Sequence, residues 1–316
     1  MMHELVSIIT PCYNGESYLD RYFASILNQT YPNLELIFID DGSKDRTLEI
    51  AQGYRERLEQ RGIRYTLLTQ ENAGQAAALN RGLKLFEGEY LTWPDADDEM
   101  TPDCIEKKVA YLQAHPELDM CICKVAQVLE DEPDKVVGFY ERVVPEGDDN
   151  LFVDLIFLNN VFYTPGGYMV RTAALDETVA QRDIYSGRGG QNPQILLPIA
   201  YRKQYGYMDE VLFKYFIREK SHSHSIDSSE KTIQQLIYFE RILLETLKRM
   251  SQSLYDEYEM SIRKHYACWR FGNALDTKKP NVIYPYLKEL TDLKMATCSD
   301  WMRYLKCVVL HKHEIR

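Results

Sequence analysis

The sequence predicts an α/β fold: a mainly parallel sheet flanked by helices, with a helical extension at the C-terminus. Three observations carry that expectation. Short apolar runs alternate with segments of helical apolar spacing over residues 5–128. The runs end in polar, turn-forming clusters, as strands of a wound sheet do. From Ser228 onward the apolar spacing is helical throughout.

Taken in order, Leu5 to Thr10 is an apolar run closed by Pro11 and reads as a buried strand. Tyr18, Leu19, Tyr22, Phe23, Ile26 and Leu27 then give one apolar helix face. Leu34 to Ile39 is a second buried strand, closed by Asp40-Asp41-Gly42-Ser43, and a helix follows through Leu48, Ala51, Tyr54 and Leu58. Tyr65 to Leu68 is a third strand, Gly74 to Phe86 an alanine-rich helix and Tyr90 to Trp93 a fourth strand. Asp103 to Ala114 is helical, with Ile105, Val109 and Leu112 inward, and a strand follows near Met120 to Val128. From about 130 to 225 acidic turns separate short strands, as expected of a substrate-binding half. In the tail, Ile233, Leu236, Leu243, Leu247 and Met250 line one helix face. The expected organisation is a domain over 1–225, split into halves 1–128 and 129–225, and a helical extension over 226–316.

Such alternation places ligands beyond the carboxyl ends of the strands. Three polar clusters sit there: Pro11-Cys12-Tyr13-Asn14, Asp40-Asp41-Gly42-Ser43 and Asp95-Ala96-Asp97-Asp98. They are far apart in sequence and are expected to converge on one sheet edge.

Composition narrows the function classes. Hydrophobic content of 45% and charged content of 27% are ordinary for a globular enzyme. A net charge of -11 argues against a general nucleic-acid binder, which needs a basic surface. Cys12, Cys104, Cys121, Cys123, Cys268, Cys298 and Cys307 are scattered and odd in number, and Cys121-Ile122-Cys123 alternates as a strand would. Buried reduced thiols in a cytoplasmic protein are expected. Met1-Met2-His3-Glu4 carries no basic leader, and no stretch approaches the roughly 18 apolar residues of a spanning helix. The tail's apolar stripe is compatible with packing, with a homodimer, or with peripheral contact at the inner face of the membrane.

Asp95-Ala96-Asp97-Asp98 follows a strand directly, and carboxylates so placed can bind a divalent cation that bridges diphosphate oxygens. A calcium loop is the rival, with Asp95, Asp97, Glu99, Asp103 and Glu106 at ligand spacing. It fails on Met100 where the sharp turn needs glycine, and on the strand that enters it. Asp40-Asp41-Gly42-Ser43, taken alone, reads equally as a turn. Gly166-Gly167-Tyr168-Met169 is either a strand whose glycines approach an acceptor or a turn.

The ordered set VSIITPCYN, SILNQTYPNLELIFIDDGSKDRT, NAGQAAALNRG and GEYLTWPDADD resembles the family-2 glycosyltransferases of the GT-A fold, many of which build bacterial surface polysaccharides. The resemblance is dense over residues 5–110 and thinner to 225. It implies transfer of a sugar from a nucleoside diphosphate sugar, with uridine the expected base, to a glycan or lipid-linked hydroxyl, with inversion. By that likeness Pro11 and Tyr13 lie beside the base, Asp41 accepts a hydrogen bond from it, Asp95 faces the ribose or donor, and Asp97 ligates Mn²⁺ or Mg²⁺. Asn14, Asn72, Gly74 and Ala96 join the substrate-binding candidates. The segment from Phe216 to Ser225 resembles the family's closing segment, where His222 could add a metal ligand and Arg218 or Lys220 could neutralise the diphosphate.

Two departures stand out. Leu79 occupies a position where many relatives carry arginine, which removes the contact assigned there and leaves Arg81 as a substitute or a solvated helix residue. Gln191 and Asn192 replace the acidic pair that many relatives use as base, and amides cannot take a proton near neutral pH. They stay substrate-binding candidates, while Asp183 and Asp98 become the candidate bases. An oxidoreductase lacks its GxGxxG here, since Pro11-Cys12-Tyr13-Asn14-Gly15 follows the first strand. A catalytically idle nucleotide-sugar-binding protein of the same fold is the remaining alternative.

Overall fold

The computed structural model describes residues 3–143, 149–187, 190–202, 204–217 and 229–314, with side chains described as far as residue 310. The chain forms two compact units, Met1–Arg218 and Glu219–Arg316.

The first unit begins with β1 (Val6–Cys12), α1 (Leu19–Leu27), β2 (Leu34–Asp40), α2 (Thr47–Gly53), α3 (Arg55–Gln60), β3 (Arg64–Thr69), α4 (Gln75–Leu83) and β4 (Tyr90–Thr92). Every residue of β1 and β2 is buried, which is why these strands read as unbroken apolar runs. It continues with β5 (Glu99–Met100), α5 (Cys104–Ala114), β6 (Met120–Leu129), β7 (Glu132–Tyr140), α6 (Leu151–Phe157), β8 (Tyr168–Arg171), α7 (Thr172–Thr178), α8 (Gln191–Arg202) and β9 (Tyr205–Ile217).

All nine strands described lie in one sheet, ordered β3-β2-β1-β4-β8-β6-β9-β5, with β7 added beside β6. The first four pair in parallel. The later part is mixed: β8 runs antiparallel to β4 and β6, β7 to β6 and β5 to β9, while β6 and β9 are parallel. The stretch read as short strands between turns therefore contains a 13-residue strand, β9, and a hairpin of β6 and β7.

The strand order reverses between β1 and β4. From β1 the chain winds out to β2 and β3, then returns to place β4 on the other side. Pairing of β1 with β4 ends at Ile8 and Thr92, whereas β1 stays paired with β2 through Cys12. A crevice opens at that switch point, beyond the carboxyl ends of the strands, which is where such sheets bind ligands.

Gly166 and Gly167 lie in a 3-10 turn before β8. Their close approach is internal: a Cβ on Gly166 would meet the Phe213 ring at 2.0 Å and one on Gly167 would meet Phe162 at 3.0 Å. These glycines thus serve packing, and the acceptor-lining reading does not hold. The cysteines are free thiols, four buried (Cys12, Cys104, Cys121, Cys123) and Cys268 and Cys298 exposed, so burial holds for the first unit only.

The second unit holds α9 (Ser229–Met250), α10 (Gln252–Asp276), α11 (Pro280–Asp292) and α12 (Cys298–Glu314). Its core joins Ile233, Ala267, Phe271, Ala274, Ile283, Leu287 and Leu290. Arg270, almost fully buried, pairs with Glu240 and with Glu289 at 2.6 Å. No helix among the described residues is long and apolar enough to cross a membrane.

Candidate functional site

The loops after β1 and β2 are tied to each other before they meet any ligand. Asn14 adopts a left-handed backbone (φ 54°). Its amide donates to Ser43 Oγ at 2.9 Å, and its side-chain oxygen accepts from the Lys44 amide at 2.8 Å. The amides of Gly15 and Glu16 donate to Thr47 Oγ1 at 2.6 Å and Asp45 Oδ2 at 3.0 Å. Asn14, a substrate-binding candidate, thus spends its side chain on the scaffold, while Tyr13 beside it is 42% exposed and available to a planar ligand. Pro11 is buried in β1, past the end of the β4 pairing.

Asp41 is the clamp of the next loop. Its carboxylate accepts from Gln70 Nε2 at 2.6 Å, from the Ala73 amide at 2.9 Å and from the Gly74 amide at 2.9 Å. Its carbonyl accepts from Asn72 Nδ2 at 3.0 Å, and its amide donates to Cys12 O at 2.8 Å. A carboxylate offers about four acceptor positions, so one is left for a ligand N–H. Gly42 allows the turn: its φ is 74°, and a Cβ there would fall 2.7 Å from the Asn72 amide. Gly74, at φ 93°, starts α4.

Gln75, in the first turn of α4, donates to Asp95 Oδ1. Ligand oxygens of Asp95, Asp97 and Asp98 lie within 4.8 Å of one another. Ala96 is buried between them. Asp98 is buried too; its Oδ1 accepts from the Phe216 amide at 3.1 Å and its Oδ2 has no hydrogen-bond partner. Burial, reinforced by the charges of Asp97 and Asp95, pushes the Asp98 carboxyl well above the usual range. A buried, unpartnered oxygen among hard carboxylate donors fits an oxygen-seeking divalent cation. The calcium-loop alternative fails, because Asp103 pairs with Lys107 at 2.6 Å and Glu106 accepts from Thr30 Oγ1 at 2.6 Å, both committed elsewhere.

Arg21 of α1 braces this loop. Its Nη2 donates to the Asp97 carbonyl at 2.6 Å, its Nη1 pairs with Glu130 at 3.1 Å, and its guanidinium lies 3.5 Å from the centre of the Phe216 ring. Asn192, at the start of α8, accepts from Trp93 Nε1 at 2.9 Å and donates to the Tyr163 carbonyl at 2.8 Å. It positions the residue that leads into Pro94-Asp95, and both ends of its amide are in use. Gln191 is buried beside it. Arg218, Lys220 and His222 lie outside the described residues.

Neither candidate base is placed as one. Asp98 is buried and engaged with Phe216. Asp183 pairs with Lys84 at 3.1 Å, a surface ion pair. Lys84 caps the C-terminal end of α4, whose first residue, Gln75, touches Asp95. Nine residues of helix put that end roughly 13 Å from the cluster. Arg81 is no free substitute for the missing arginine either, since its Nη1 donates to the Thr69 carbonyl at 2.6 Å.

Gln70, Gln75, Arg21 and Trp93 were not legible as site residues in the sequence. Each is a polar or aromatic residue whose partner is remote in sequence, and only the Gln75 and Trp93 positions lay inside a quoted motif, NAGQAAALNRG and GEYLTWPDADD.

The glycosyl transferase family 2 model matches residues 7–179, more than half of the chain. The chain belongs to glycosyl transferase family 2. Its members are transferases, and the architecture described above is the GT-A fold with an added helical region. An uncharacterized glycosyltransferase of Haemophilus influenzae is 43% identical over 112 residues, 35% of this chain and 44% of that protein. The putative teichuronic acid biosynthesis glycosyltransferase TuaG of Bacillus subtilis is 37% identical over 108 residues, 34% of this chain and 42% of that one. The chain therefore spans less than half the length of these curated relatives. Among solved structures, S. aureus TarS 1-349 in complex with UDP superposes with a TM-score of 0.60 at 18% identity, covering 98% of this chain and 91% of that one. The mannosyltransferase PcManGT of Pyrobaculum calidifontis, in complex with GDP-Man and Mn²⁺, gives 0.56 at 16% identity, covering 96% and 79%.

Proposed function

We propose that this member of the family transfers a sugar from a nucleoside diphosphate sugar, with UDP the carrier, to a hydroxyl of a glycan or lipid-linked acceptor, inverting the anomeric carbon. The observation that carries the reading is the convergence of Asp95, Asp97 and Asp98 beside the crevice where the strand order reverses. Pro11, Tyr13 and the remaining acceptor position of Asp41 face the base, with Asn72 and Gly74 shaping the loop around it. Asp95 and Ala96 meet the ribose side.

Asp97, with Asp98 Oδ2 behind it and His222 from the following segment, would hold Mn²⁺ or Mg²⁺. That ion supplies neutralisation of the diphosphate as it leaves. Arg218 adds a positive charge to the same group. Residues 1–128 form the donor half and 129–225 the acceptor half, with Gln191 at the mouth of α8 on the acceptor side. The free thiols support a reducing, cytoplasmic setting.

A nucleotide-sugar-binding protein without turnover is the second reading, favoured by one observation: Asp98 is buried and Asp183 sits at the wrong end of α4. Calorimetry with UDP, GDP and NAD, with and without Mn²⁺, tests the first reading against Asp97→Ala. Metal-dependent UDP binding that Asp97→Ala abolishes is the expected result. Binding indifferent to metal and to Asp97 would sink it. Hydrolysis or transfer from UDP-sugars by the wild type then separates an enzyme from a binder.

A further inference from the structure

The helix α12 leaves a stripe of large apolar side chains in solvent. Trp301 is 38% exposed, Met302 63%, Leu305 54% and Val309 55%. At roughly 100° per residue these four fall within one face of about 100°. Tyr304 and Cys307, on a different face, pack against the core of the helical unit, so α12 is already docked when it shows this stripe. Lys306, exposed, borders it, and Arg303, also exposed, lies further round the helix. A stripe of this size on a docked helix asks for a partner.

Charge selects the partner. Residues 294–316 carry Lys294, Arg303, Lys306, Lys312 and Arg316 against Asp300 and Glu314, in a chain whose net charge is -11. The segment that carries the stripe is thus basic in a chain that is acidic as a whole. A second copy meeting this face would bring its own basic side chains to Lys306 and the other basic residues of this segment. An anionic lipid surface neutralises them, accepts Trp301 at headgroup depth and buries Leu305 and Val309 below it. The helix is not long and apolar enough to cross the bilayer, so it would lie on the surface.

We propose that the exposed face of α12 is an interfacial anchor that holds the chain on anionic membrane surfaces. Nothing in this inference depends on the donor chemistry. Flotation of the full chain with vesicles of phosphatidylglycerol and phosphatidylcholine tests it, against vesicles of phosphatidylcholine alone. Binding to the anionic vesicles is expected to fall at least about tenfold for Trp301→Glu with Leu305→Glu. The paired change Arg303→Gln with Lys306→Gln, or 0.5 M salt, is expected to weaken it by about fivefold or more. Circular dichroism and the melting temperature of each variant show whether the fold is kept, as the exposure of all four residues requires. Sedimentation velocity gives the oligomeric state in parallel. Absence of binding to anionic vesicles, equal binding by the Glu pair in a folded state, or a dimer that the Glu pair dissociates would each overturn the proposal, the last by naming a second copy as the occupant.

Discussion

Asp41 and Asp45 stand four residues apart and show two uses of a loop acid. Asp41 gathers the amides of Ala73 and Gly74, so the loop that starts α4 is folded around it. Asp45 gathers the Glu16 amide at 3.0 Å, the Thr47 amide at 3.0 Å and the Thr47 hydroxyl, and so ties the loop after β2 to the one after β1. Burial alone would raise the Asp45 carboxyl, but these hydrogen bonds prevail and hold it below its ordinary 3.8. A carboxylate lowered on folding adds stability above its unfolded value and loses it as pH falls through the folded one. Melting temperature recorded from pH 6 down to pH 3 is therefore expected to drop less steeply in Asp45→Asn than in the wild type, with the difference gained below about pH 4. Parallel curves would show that Asp45 is bonded equally in the unfolded chain. The bond from the Glu16 amide to Asp45 could not be read from the sequence, because the two residues stand 29 apart.

Between elements, the site is assembled by α1, α4 and the β4 loop. Arg21 spans from α1 to the Asp97 carbonyl, and α4 reaches Asp95 through Gln75. On the proposed function Asp97 ligates the ion, and removing a brace behind such a ligand typically changes metal affinity by roughly 10–100-fold. Arg21→Gln is expected to weaken Mn²⁺ in the nucleotide-binding titration by about tenfold, while UDP affinity at saturating metal and the melting temperature shift little. Equal loss of both affinities would instead mark Arg21 as a general support of the loop. This level of organisation was partly legible. The alternation of β1 to β4 with α1, α2 and α4 could be read because β1, β2 and β4 are buried throughout and the helices between show apolar stripes. The polar clusters could be placed because they end strands. β7 could not be read: its surface is mostly exposed, so no alternation was left to see. β9 hid for a related reason, with a mixed burial pattern across two irregularities in its pairing with β6. The roles of Arg21 and Gln75 depend on topology, which no local pattern encodes.

At the scale of the molecule, the chain forms two compact units, the second built on helices around an apolar core and holding an ion network about the buried Arg270. That network carries a risk apolar packing does not, since a buried charge must keep its partner. Arg270 holds Glu240, which burial pushes above its ordinary value although Arg270 and Arg263 pull it back. Removing Arg270 leaves Glu240 with Arg263 at 3.6 Å and Glu289 without its buried partner. Arg270→Met is expected to destabilise the helical unit by about 3 kcal/mol, the lower end for a broken buried pair because Arg263 remains. For a unit of this size that corresponds to a fall of roughly 10 °C or more in its transition. On the proposed function, UDP with Mn²⁺ acts by mass action on the unit that carries Asp97. Scanning calorimetry of wild type and Arg270→Met, each with and without UDP and Mn²⁺, should then show the mutation moving one transition and the ligand moving the other. A single transition that both perturbations move together would mean that the helical unit and the donor site unfold as one cooperative body, and the helices would then be part of what keeps the crevice formed.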